Sequence, residues 1–128
     1  MSRLKAILGW VSGALMVASS GAHSLAGWKL LRAELERANA PADLILALSL
    51  GWQFAGTAML VFGLIVLGLF WLRMRGRVVS LWPAAIIGVA YIAFGVCALL
   101  LSGFDKFFLV FLVPGIMLTT AAAMRDRG

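Results

Sequence analysis

The only histidine of this chain, His23, sits in the apolar run VASSGAHSLAGWKLL (residues 17–31), with Ser19, Ser20 and Ser24 beside it. An imidazole in such a run can bond a metal or haem iron, meet a quinone carbonyl or lipid headgroup, or exchange a proton near neutral pH. On a helix, Ser12, Ser19, His23 and Ala26 fall on one face, and further along Ser49, Gln53 and Thr57 fall on another at four-residue steps. The residues that could do chemistry are therefore few. Their chemistry is hydrogen bonding or ligation by neutral groups.

Several reaction classes lack their parts. A zinc site within one chain needs three or four ligands, and the chain has one histidine and one cysteine, Cys97. Cys97 lies in an apolar run, where it reads as a small buried residue. Ser/His/Asp catalysis needs an acid to orient the imidazole, and no acid lies at the depth of His23. Proton relays and cation-coupled carriers depend on intramembrane carboxylates; the small multidrug carriers of similar length have one in their first helix, and this chain does not. A single histidine supplies one axial bond to haem. No catalytic residue, metal or cofactor is expected.

What must position these residues is a set of apolar helices. Of 128 residues, 63% are hydrophobic and 12% charged, against about a quarter charged in a soluble domain. Ala6 to Gly27, Leu44 to Leu72, Val78 to Gly103 and Phe107 to Met124 contain no charged side chain. Each is close to or above the ~20 residues that cross a bilayer as a helix. Lipid offers backbone groups no partner, so these runs must be helical. The expected fold is all-α: an integral membrane four-helix bundle in one domain, with spans at about 4–28, 44–72, 78–102 and 106–124.

The connections differ in length. KLLRAELERA (residues 29–38) is rich in helix formers, and the spacings Glu34/Arg37 and Arg32/Glu36 bring opposite charges together. A longer, partly helical external loop is expected there, ended by Asn39-Ala40-Pro41, with Asp43 complementing the next helix dipole. Gly76 in Arg73-Met74-Arg75-Gly76-Arg77 suits a left-handed helix cap, and Asp105 is placed to cap the fourth span. Two short hairpin loops should make spans two, three and four antiparallel neighbours.

A pI of 10.8 raises the question of nucleic acid, but the basic residues are distributed by side. Arg3, Lys5, Arg73, Arg75, Arg77, Arg125 and Arg127 share one side of four spans; Lys29, Arg32, Arg37 and Lys106 share the other with four acids. Basic residues collect on the cytoplasmic side. Both termini are therefore expected in the cytoplasm of a bacterial inner-membrane protein, with the bilayer and no nucleic acid as partner. Arg73, Arg75 and Arg77 fix orientation and can also attract anionic headgroups. Arg3 and Lys5 before an apolar stretch, with Ser20-Gly21-Ala22 as a small-residue cut site, also fit a signal peptide. The apolar run continues to Trp28, which favours a retained first span.

Depth along the helices brings the polar groups together. His23 lies about five residues from Trp28, and Ser49 about five from Leu44, so an antiparallel pair sets His23 level with Ser49, and Ser19 or Ser20 level with Gln53. Pro114 in the fourth span reaches a similar depth, where it leaves the Val110 carbonyl without its usual partner. Trp28, Trp52 and Tyr91 add aromatic walls, while Trp10, Trp71 and Trp82 suit interfacial belts. His23, Ser19, Ser49, Trp52, Gln53 and Tyr91 are thus the candidate ligand-binding residues. The alternative is that these groups only bond helix to helix and fix their register.

Small residues mark where helices touch. Ala84, Gly88, Tyr91, Gly95, Ala98 and Ser102 form a heptad-like seam. Gly9 and Gly13, then Ala14, Ala18, Ala22 and Ala26, line the first span, and Ala47, Gly51 and Ala55 the second. A small-residue face left outside the bundle would dock another subunit or a second copy.

Gly21, His23 and Gly27 in helix one, Trp52-Gln53 with Thr57 in helix two and a proline in helix four together resemble small four-span bacterial membrane proteins of a loosely DoxX-like kind. In those, a histidine often follows the tryptophan; here it is Gln53. The resemblance implies the four-span architecture and no established activity. On the residues, the first reading is a non-catalytic accessory or assembly subunit. The second is a binder or carrier of a quinone, isoprenoid or lipid, with haem a lesser option. A redox or transferase enzyme comes third.

Overall fold

The computed structural model describes residues 1–125; Arg127, counted above with the basic set, lies outside them. All regular structure among the described residues is helical. Helix α1 (Arg3–Gly21) runs through a π-helical segment (Ala22–Gly27) into α2 (Trp28–Arg37), forming one continuous rod. Then follow α3 (Ala42–Met74), α4 (Trp82–Leu101), a 3-10 turn (Lys106–Phe108) and α5 (Leu109–Ala123). Four helical stretches are long and apolar enough to cross a membrane, and the first, Arg3–Arg37, has 35 residues. At ~1.5 Å per residue that rod outruns the ~30 Å hydrocarbon core, so α2 extends past it.

Residues 29–37 form the helical part of the connection between the first two spans, as a continuation of the rod, and its non-helical part is a tight turn at residues 38–41. The rod ends when Asn39 takes a left-handed conformation (φ 53°). The Ala40 N–H then bonds the Leu35 carbonyl and the Asn39 N–H the Glu36 carbonyl, which is the Schellman closure. Gly76 (φ 76°) ends α3 the same way, with Arg77 N–H on the Leu72 carbonyl. On α2, Arg32 pairs with Glu36 at 2.7 Å and Arg37 with Glu34 at 2.8 Å; both pairs are exposed and contribute little. Residues 78–81 stay outside α4. Its helix starts at Trp82, whose N–H is capped by Ser80 Oγ at 3.2 Å, with Pro83 in the first turn.

The packing order is α3–α1–α5–α4. Helix α1 lies against both α3 and α5, α4 lies against α5, and α3 and α4 barely touch although a short turn joins them. Spans two and three are thus not the packed neighbours that loop length implied. Glycine supplies the reason. A Cβ on Gly63 would come within 3.0 Å of the Gly13 carbonyl oxygen, and one on Gly115 within 2.9 Å of the Ile92 amide nitrogen. Backbones touch along α1/α3 and α4/α5, where lipid gives no hydrophobic drive and close contact must do the holding. Facing α3 and α4 instead carry Met59, Phe62, Tyr91 and Phe94, which hold the two apart.

Met16, Val66, Phe70 and Leu118 are fully buried at the centre, while Leu25, Phe54 and Leu101 are more than three-quarters exposed. Large apolar side chains on the outside are a liability in water and the natural surface in lipid. Cys97 is exposed on α4, on the outer face and not in the core as its apolar setting implied.

The glycine contacts make a sharp test. Gly115→Ala should destabilise the bundle by about 1–3 kcal/mol through overpacking against α4. Gly51→Ala, with nothing within 4 Å of the new methyl, should be neutral or stabilising by up to about 1 kcal/mol. Unfolding in mixed micelles measures both; equal effects would contradict the packing.

Candidate functional site

The π-helical segment brings His23 and Ser24 to α3. Its signature is the Trp28 N–H reaching back to the His23 carbonyl, five residues earlier, where an α-helix would reach four. Two α3 side chains bond the carbonyls of this segment. Trp52 Nε1–H donates to the His23 carbonyl at 2.7 Å, and Gln53 Nε2–H donates to the Ser24 carbonyl at 3.1 Å. The bonding is reciprocal, because His23 Nε2 lies 3.2 Å from the Trp52 carbonyl. A carbonyl can only accept, so this bond requires the tautomer with its proton on Nε2.

The rings reinforce the clasp. His23 stacks on Trp52 with centroids 4.3 Å apart and planes within 4°, and Trp28 tilts against Trp52 at 6.5 Å. Gly56 is what allows the approach: a Cβ there would collide with Ser24 Oγ and lie 3.4 Å from His23 Cδ2. Thr57 turns away from the clasp and bonds the Gln53 carbonyl on its own helix at 2.9 Å.

The register differs from the expected one. Because the turn falls at Ala38–Pro41, levels mirror across it: Gly9 meets Phe70, Gly13 meets Val66, Gly27 meets Trp52 and His23 meets Gly56. Ser49 lies about two turns further along and makes no hydrogen bond to His23. Counting from Trp28 and Leu44 as helix ends placed the fold-back too early in the chain, since α2 continues the rod to Arg37 while α3 starts only two residues before Leu44, at Ala42. Ser19, half-buried on α1, likewise bonds none of the clasp residues.

On the other side of His23, the gap between α3 and α4 forms an apolar cleft of about 270 Å³. Its walls include Met59 and Phe62 from α3, Tyr91 and Phe94 from α4, and Phe111 from α5. Tyr91 is only 6% exposed, and its hydroxyl has no hydrogen-bond partner among the described residues. Phe111 tilts against Tyr91 at 5.9 Å and meets Phe94 edge-on at 4.9 Å. Of the six candidate residues, then, His23 and Tyr91 line the cleft, Trp52 and Gln53 hold the clasp, and Ser19 and Ser49 join neither. The apolar wall residues carried no signal of their own, since a cleft phenylalanine and a lipid-facing one look alike in sequence.

No group of three or more His, Cys, Asp or Glu that could hold a metal occurs among the described residues. Chemically the site offers one imidazole engaged with a backbone carbonyl, one phenolic hydroxyl and apolar walls. Compared with protein-family models, curated proteins and solved structures, the chain matches none.

Trp52→Phe keeps a stacking ring but removes the N–H donor, and should lower stability by about 0.6–1.7 kcal/mol, the range for interhelical polar contacts in membranes. His23→Gln, which retains a donor, should cost less than that. Nitrogen NMR of labelled His23 should show the Nε2–H tautomer; an Nδ1–H form would contradict the clasp.

Proposed function

We propose that the protein is a multi-pass protein of the bacterial inner membrane, with both termini cytoplasmic, that serves as a non-catalytic accessory or assembly subunit of a larger membrane complex. One observation carries this reading. Ala14, Ala18, Ala22 and Ala26, at four-residue steps on the first rod, are all exposed. The bundle uses Gly9 and Gly13 of α1 for its own contacts and leaves this alanine row outside, bordered by Val11, Leu15 and Leu25. Small side chains at this spacing let a second helix approach closely in lipid. The clasp supports the same reading, because His23, Trp52 and Gln53 are engaged in holding α1 to α3.

A test follows from the row. Ala18→Leu with Ala22→Leu should leave the isolated bundle stable, since both positions are exposed and leucine is a good helix former. On native gels of membranes, the unaltered protein should run within a larger assembly and the variant as the isolated bundle. If both run alone, the subunit reading fails.

The cleft favours a second reading, binding of a quinone, isoprenoid or other lipophile with a hydrogen-bond acceptor. The supporting observation is the unpartnered Tyr91 hydroxyl in an apolar wall, since a buried hydroxyl gains about 0.5–1.5 kcal/mol from an acceptor. Mass spectrometry of the gently purified protein should then find an enriched lipophile, reduced about threefold to tenfold in Tyr91→Phe. No enrichment removes this reading.

Orientation rests on the seven basic residues of one side against four balanced by acids on the other. Reporter fusions after Arg37 and after Gly103 should both read as external, and a cytoplasmic signal from either reverses the topology.

A further inference from the structure

At the end of the bundle opposite α2 lies a second cavity, of about 450 Å³, within the ~300–1,000 Å³ range of small-ligand sites. Lys5, Arg73, Ser80, Trp82, Met124 and Arg125 line it, so three cations and no acid stand in its walls among the described residues. Lys5 is only 2% exposed, and its Nζ donates to the Met124 carbonyl at 2.7 Å. Arg73 Nε donates to the Val79 carbonyl at 3.0 Å. These bonds anchor two cationic heads, one from the start of α1 and one from the end of α3, at the same cavity.

Three further features favour an anion there. The first turn of α4 opens on the cavity through Trp82 and Ala85, and a helix N-terminus carries partial positive charge. In sequence, residues 1–5, 73–77 and 125–127 together hold Arg3, Lys5, Arg73, Arg75, Arg77, Arg125 and Arg127 against one acid, Asp126. The balance stays strongly positive whichever ion pairs form. Finally, the cavity lies where the apolar spans end, and Trp82, 70% exposed, is the kind of ring that sits at headgroup level.

We propose that this cavity binds the phosphate-bearing headgroup of an anionic phospholipid, with Lys5, Arg73 and Arg125 around the phosphate and the acyl chains running along the bundle's apolar surface. Basic pockets between spans recognise such headgroups, as distinct from the diffuse attraction of a basic loop. The site needs neither the subunit reading nor the lipophile reading to be correct.

Native mass spectrometry of the full chain in mild detergent tests it, with phosphatidylglycerol, phosphatidylcholine and glycerol 1-phosphate as probes. Phosphatidylglycerol should bind saturably and resist exchange by phosphatidylcholine. Arg73→Gln with Arg125→Gln should weaken that binding at least about tenfold, each basic side chain near an anionic surface counting for about fivefold. Arg75→Gln with Arg77→Gln removes the same charge outside the cavity walls and should weaken it less than about threefold, because neither side chain lines the cavity and charge beyond its walls is screened. Should the first pair fail to fold, Arg125→Gln alone, altering an exposed residue beyond α5, must still weaken binding. Equal losses in both pairs, or equal binding of phosphatidylcholine, would overturn the pocket. Glycerol 1-phosphate binding as tightly as the lipid would make it a free-phosphate site and overturn the lipid assignment.

Discussion

The register of the bundle depends on where the chain turns between its first two spans. Asn39 in the left-handed conformation closes α2, Pro41 precedes α3, and every α1/α3 level is then reflected about that point. Gly9 under the Phe70 ring, Gly63 against Gly13 and Gly56 under Ser24 are the results of one reflection. A turn displaced by a single residue would set side chains where these glycines stand. In lipid, where association rests on close packing, such a shift loses the contacts that hold the pair.

The same reflection explains how backbone carbonyls of the first rod come to be bonded by side chains of α3. The π-helical segment presents the His23 and Ser24 carbonyls towards α3, and Trp52 and Gln53 arrive at that level with N–H donors. The His23 carbonyl also accepts from the Trp28 N–H, and in hydrocarbon no water fills a carbonyl's second lone pair, so the segment and its two donors stabilise one another. The stacked His23 and Trp52 rings fill the space beside those bonds. On the far side of His23, α3 and α4 line a gap with bulky residues and do not close it, and that gap is the cleft.

Much of this could be read from residue types. The four charge-free runs, the left-handed Gly76, the Asp105 cap, which accepts from Phe107 N–H at 2.9 Å, and the ion-pair spacings of α2 are local signals, and local physics decides them. The buried face of α4, with Ala84, Gly88, Tyr91 and Gly95, was legible because small residues recur along it. The pairing of His23 was not. It depends on the length of the rod, and KLLRAELERA is polar enough to pass for a surface loop while being helical enough to continue the span. The π-helical segment was equally hidden, since AHSLAG contains nothing that an α-helix would refuse. The separation of α3 from α4 is a property of two faces at once, and no single face announces it.

The lipid-facing surfaces of the first two spans differ in a way that bears on partners. Helix α3 turns Leu46, Leu50, Phe54 and Leu64 outward, large side chains that gain from contact with acyl chains, with Ala47, Gly51 and Ala55 exposed between them. The first rod presents Ala14, Ala18, Ala22 and Ala26, each of which offers lipid far less apolar surface. Solvation by lipid alone gives no reason for the smaller side chain, and the bundle's own packing gives none either, since nothing in it covers these alanines. A close-approaching helix would supply the reason, because a small side chain lowers the distance between backbones. The longer row, four exposed alanines against the exposed Ala47, Gly51 and Ala55 of α3, assigns the proposed docking face to the first rod.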